Sequence, residues 1–131
     1  MASTNMESAR IAVYSASAGA GKTFRLAVEY GAAALARPDD QGAFRRILGL
    51  TFTNKAAHEM KDRVLRTLQK AVELDDPFAD PIAKEIALLL DIDAAELRRR
   101  AAAVLSEMLH DYGAVSLGTL DQFTHRLVRT F

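Results

Sequence analysis

No cysteine and no tryptophan occur in the 131 residues, proline appears three times, and 17 basic side chains are matched by 17 acidic ones. Without cysteine there are no disulfides and no thiolate metal sites, which is compatible with a reducing compartment. The balanced charge removes any global electrostatic case for nucleic acid, so such a case has to come from local motifs. Met1–Arg10 holds no basic segment followed by an apolar stretch, and nowhere do roughly 18 apolar residues run together. The expectation is a protein of the cytoplasm without a membrane partner. With half its residues hydrophobic and 26% charged, the chain has a globular composition and the length of one domain or one piece of one.

Against this background one stretch carries chemistry. Ile11, Ala12, Val13 and Tyr14 form a short apolar run that stops at Ala16-Ser-Ala-Gly-Ala-Gly-Lys-Thr23, as a buried strand feeding a loop would. Gly21, Lys22 and Thr23 fit the end of the phosphate-binding pattern G-x-x-x-x-G-K-[ST], with Ala16 in place of the first glycine. In that pattern backbone N–H groups face the phosphates, the lysine neutralises them and the hydroxyl ligates magnesium. The bland alternative is a small-residue turn that contains Gly-Lys-Thr by chance. It is disfavoured because Phe24, Ala27, Val28, Gly31 and Leu35 recur at helical spacing directly afterwards, until Pro38. Ala16, Ser17, Ala18, Gly19, Ala20, Gly21, Lys22 and Thr23 are the candidate nucleotide-binding residues, Lys22 and Thr23 the catalytic candidates and Thr23 the metal ligand.

Ile47–Thr53 is a second apolar run bounded by Asn54-Lys55 and reads as a buried parallel strand. The two runs and the helix between them predict a right-handed βαβ unit. Ala57, Met60, Val64, Leu68 and Ala71 then trace one face of a helix, with Asp62 and Arg66 four apart on the outside. Asp80-Pro81 predicts a helix start, and so does Asp93 with Glu96 three residues on. Leu97, Ala101, Val104, Leu105, Met108 and Tyr112 continue the second of these helices, up to Gly113. Val115–Leu117 is a weak third strand candidate. Thr119-x-x-Gln122 predicts another cap before Leu120, Phe123, Leu127, Val128 and Phe131. The chain stops inside that helical pattern, so it reads as the front part of something longer.

The block Thr51-Phe-Thr-Asn-Lys-Ala-Ala57, followed by Glu59-Met-Lys61, sits where the second strand gives way to its helix, at the ligand-facing end of an open α/β sheet. On spacing alone Thr53 or Asn54 could simply cap the helix and Lys55 could be solvated. Together with the phosphate loop, however, this block resembles motif Ia of the UvrD and Rep type superfamily 1 DNA helicases. The loop itself, with alanine in its first glycine position, is similar to motif I of the RecB and AddA branch. Ser116-Leu-Gly-Thr-Leu-Asp-Gln-Phe123 resembles a third block of the same family, read there with serine where Gln122 stands here.

This resemblance implies an α/β fold, the P-loop NTPase (RecA-like) three-layer parallel sheet, present in part and carrying a helical insertion. It implies a division into a strand, loop and helix core over 1–73, the insertion over 78–112 and a return to the core over 113–131. It implies ATP and Mg2+ as cofactors. The partners implied are single-stranded DNA and the rest of a helicase chain, with a second motor domain and, in RecB-like members, a nuclease domain. DNA-binding residues carried over from it are Phe52, Thr53, Asn54, Lys55, Thr119, Asp121 and Phe123. The implied activity of the parent protein is ATP-dependent DNA unwinding or translocation, 3′ to 5′, in repair or recombination.

Several features do not join this set. Ala87-Leu-Leu-Leu-Asp-Ile-Asp93 looks like a strand ending in a magnesium acid, but leucine, alanine and the preceding Ile82 and Ile86 favour a helix end. Arg98-Arg99-Arg100 reads as a solvated helical face with Glu96 four before Arg100. No Asp-Glu pair occurs anywhere, and no glutamine precedes the loop. The segment alone is therefore expected to hydrolyse ATP poorly, and adenine selectivity follows from the family only. The competing reading is a stand-alone nucleotide-binding module or small P-loop kinase that never touches DNA. It gives no reason for the Thr51–Ala57 block.

Overall fold

The structure is a computed structural model in which residues 11–13, 19–51, 53–115, 117–119 and 128 are described. Four α-helices run over Gly19–Ala34 (α1), Asn54–Glu73 (α2), Pro81–Leu90 (α3) and Ala94–His110 (α4). Three strands, Ile11–Val13 (β1), Leu48–Thr51 (β2) and Leu117–Thr119 (β3), pair in parallel in the order β1-β2-β3. Short 3-10 turns at Ala43–Arg46, Pro77–Ala79 and Tyr112–Ala114 join these elements.

The expected three-layer parallel-sheet architecture needs correcting. The described residues are predominantly helical, with helices of 16, 20, 10 and 17 residues against strands of only 3, 4 and 3. The apolar stripes are satisfied mainly by each other: α2 packs on α4 and α1 on α3, while α2 also lies against β2 and β3. The buried core includes residues from all four helices together with Leu35, Phe44 and Val115.

Local chemistry explains the helix limits. Thr53 accepts from Ala56 N–H at 3.0 Å, Asp80 from Ala83 N–H at 3.1 Å and Asp93 from Glu96 N–H at 2.8 Å, so each later helix starts on a side-chain cap. Pro81 adds its fixed φ at the first helical position of α3. The Ala87–Asp93 stretch is a helix end, with Asp91 as its C-cap in the left-handed region at φ 54°. Glu96 does not reach back to complete a reciprocal capping box, because Arg99 and Arg100 take its carboxylate.

The helical stripes are buried as their spacing dictates. Ala57, Met60, Val64, Leu68 and Ala71 of α2 and Leu97, Ala101, Val104 and Met108 of α4 are all in the core, whereas Tyr112 is exposed. On α1 the buried set is wider than the expected stripe and includes Leu26, Tyr30 and Ala34. Among the described residues the buried Tyr30 hydroxyl has no hydrogen-bond partner, and burial pushes its pKa well above the usual phenol range. Gly31 is where α1 meets α3: a Cβ there would run into Ile86 Cδ1. Among the described residues no helix is long and apolar enough to cross a membrane.

Candidate functional site

Parallel pairing puts the carboxyl ends of the three strands along one edge. Val13 lies opposite Leu50, and Thr51 lies opposite Thr119, each pair in register. The helices that come next in the chain after these strands start, among the described residues, at Gly19 and Asn54. Two blocks that are far apart in sequence thus meet, since Thr119 stands beside the strand residue two before Thr53. In open parallel sheets this is the edge where ligands bind, because helix N-termini and connecting loops gather there.

The phosphate-loop residues fall in two parts. Ala16, Ser17 and Ala18 lie outside the described residues. Gly19, Ala20, Gly21, Lys22 and Thr23 form the opening turns of α1. Among the described residues α1 thus begins at Gly19, ahead of the apolar stripe that starts at Phe24. The first four N–H groups of an α-helix have no intrahelical partner and carry the positive end of its dipole. In α1 those groups belong to Gly19, Ala20, Gly21 and Lys22, and no acidic residue stands in that turn to neutralise them. Gly21 is exposed, and a Cβ placed on it would meet no described atom within 4 Å. These features fit a triphosphate, with Thr23 half-buried one residue after the lysine.

Of the second block, Thr53, Asn54 and Lys55 are exposed at the start of α2, and Phe52 lies outside the described residues. Thr53 serves as N-cap, as its place before the helical pattern allows, and Asn54 and Lys55 occupy the first turn, where helix N–H groups add to the Lys55 charge. Hydroxyl, amide and ammonium groups in one exposed turn are suited to phosphate oxygens. Deeper in the same helix the Lys61 ammonium sits 4.2 Å from the Tyr112 ring centre. Of the third block, Thr119 ends β3, whereas Asp121 and Phe123 lie outside the described residues. Among the described residues no group of three or more His, Asp or Glu could hold a metal ion.

One correction concerns Arg98-Arg99-Arg100. Only Arg99 is exposed, held by Glu96 at 2.6 and 3.0 Å. Arg98 and Arg100 are partly buried and donate to backbone carbonyls at the ends of other helices. Sequence reasoning missed these contacts because helical spacing reports which face a residue takes, not which chain end lies across from it.

Comparison with known proteins places these observations in a family. Residues 2–131 match the family described as UvrD/REP helicase N-terminal domain. Over 75 residues the chain is 45% identical to an ATP-dependent helicase/nuclease subunit of Natranaerobius thermophilus, covering 57% of this chain and 6% of that protein. The equivalent helicase/nuclease subunits of Bacillus mycoides and Bacillus cereus are 40% and 39% identical over 74 residues, covering 56% of this chain and 6% of theirs. The chain thus spans only a small part of the length of these relatives. No solved structure matches it.

Proposed function

Because the chain belongs to the UvrD/REP helicase N-terminal domain family, we propose that it is the nucleotide-binding front part of an ATP-dependent DNA helicase of the RecB and AddA type. In this reading ATP binds at the N-terminus of α1. Backbone N–H groups from Gly19 to Lys22, with the Ala16–Ala18 segment before them, receive the phosphates. Lys22 neutralises the β and γ groups, and the Thr23 hydroxyl holds Mg2+. The magnesium supplies charge neutralisation on the transferring phosphoryl group. The observation that carries the reading is the shared edge: the strands that lead to the loop, to the Thr53–Lys55 turn and to the third block all end there in register.

Single-stranded DNA is the second ligand in this reading, lying along Thr53, Asn54, Lys55 and Thr119, with Phe52, Asp121 and Phe123 from the same blocks. The division into a core over 1–73, an inserted helical part over 78–112 and a return over 113–131 belongs to the same proposal. The parent protein would couple hydrolysis to 3′-to-5′ movement in cytoplasmic DNA repair or recombination, using a second motor domain. The relatives' description as helicase/nuclease subunits supports a nuclease domain as well. This segment lacks an Asp-Glu pair, and the arginine that a second domain would supply is worth roughly 10³–10⁵ in rate. Efficient turnover therefore needs the rest of the chain.

The DNA half of the reading is tested by equilibrium binding of the full-length protein to a labelled oligothymidylate across a salt series. Asn54→Ala combined with Lys55→Ala lowers affinity, and the log–log salt slope shrinks by about 0.7 for each phosphate that the protein no longer neutralises. An unchanged affinity and slope would return this turn to plain helix capping.

A further inference from the structure

Arg98 and Arg100 stand near the start of α4 and reach in two directions. Arg98 donates through Nε to the Ala71 carbonyl at 3.3 Å, and through Nη2 to those of Leu74 at 2.5 Å and Asp75 at 3.1 Å. Arg100 donates through Nη1 to the carbonyls of Leu35 at 3.1 Å and Ala36 at 3.3 Å, while its Nε is held by Glu96 Oε2 at 2.7 Å. The first set of carbonyls closes α2, and the second follows the last residue of α1. These are the groups that a helix end leaves unpaired and partly negative, so a guanidinium fork suits them.

The two helices held in this way are the ones whose other ends open at the strand edge. At 1.5 Å per residue, α1 and α2 are stiff rods of roughly 24 and 30 Å. A tilt of such a rod about a point along its length moves both of its ends. Arg100 passes such a displacement from Leu35 and Ala36 into α4. Two residues earlier, Arg98 hands it to the end of α2. Arg100 is only 13% exposed at its side chain, and Glu96 fixes its orientation, so the link is held on both sides.

We propose that Arg98 and Arg100 form a brace through which occupancy at the N-terminus of α1 changes the position of the N-terminus of α2, coupling nucleotide binding to single-strand binding. The inference rests on the function proposed above. Both arginines are positioning residues and touch neither ligand. A capping role alone would change stability, whereas the brace predicts a change in the coupling between two affinities, which is a separate quantity.

The test uses the full-length protein and a labelled oligothymidylate, titrated with and without a non-hydrolysable ATP analogue and Mg2+. In the wild type the two dissociation constants differ by at least about 5-fold, the lower end of usual coupling. In Arg98→Met and Arg100→Met that ratio falls towards one, while the affinity for each ligand alone stays within about 2-fold. Arg98→Lys and Arg100→Lys keep a cation at the helix ends without the two-pronged fork. They preserve the fold, checked by thermal unfolding, and also lose most of the ratio. A folded variant that keeps the wild-type ratio overturns the brace, as does a wild type that binds both ligands with a ratio of one. A wild type that binds neither ligand overturns the parent reading, and the brace with it.

Discussion

Glu96 shows how much one side chain can do beyond its local motif. The sequence places it three residues after Asp93, where a capping box would turn it back to the helix start. Instead its carboxylate is taken by Arg99 and Arg100, whose hydrogen bonds lower its pKa from 4.5 to about 2. A folded-state pKa below the unfolded one means that protons bind the unfolded chain more readily. The contribution to stability is therefore complete above about pH 4.5 and is lost as the pH falls towards about 2. Glu96→Gln removes this contribution, so urea midpoints of the variant at pH 7 and pH 3 lie closer together than those of the wild type. An equal gap in both proteins would contradict the assignment. At this scale the caps Asp80 and Asp93 were legible, because a cap is written in neighbouring residues. The partners of Arg98 and Arg100 were not, since 23 to 27 and 64 to 65 residues separate donor from acceptor.

Among the elements, the stripes of α2 and α4 were readable because a 3.6-residue period identifies the buried face whatever covers it. Gly31 on α1 was readable as part of a stripe but not as a contact point. The structure gives it a reason: Ile86 of α3 occupies the space that a Cβ would need. Gly31→Ala gains about 1 kcal/mol of helix propensity and meets an overpacking cost of typically 1–3 kcal/mol, so net destabilisation is expected. Ile86→Val removes the Cδ1 atom. In the double variant the Gly31→Ala penalty, measured by chemical unfolding, falls below its value in the wild-type background. Additive losses would show that the two helices do not touch there. The strands were less legible than the helices. Short apolar runs such as Val115–Leu117 carry too little alternation to fix a strand's limits.

For the whole molecule, the sequence pattern overstated the sheet. Short apolar runs bounded by turn residues point to the centre of a layered α/β domain, yet the described residues are predominantly helical, in four helices of 10 to 20 residues. Periodicity describes one element at a time and says little about which neighbour covers a stripe. The candidate site was more accessible, because the Ala16–Thr23 and Thr51–Ala57 patterns are local motifs, and parallel pairing sets β1 and β2 side by side. What local reading could not supply was the neighbourhood of Thr51 with Thr119. The central claim is that the α1 N-terminus holds the triphosphate that drives movement on DNA. It is tested most directly by ATP-dependent unwinding of a duplex with a 3′ single-stranded tail, using full-length protein carrying Lys22→Ala. Unwinding is lost while nucleotide-free DNA binding stays close to wild type; unwinding that persists in this variant contradicts the claim.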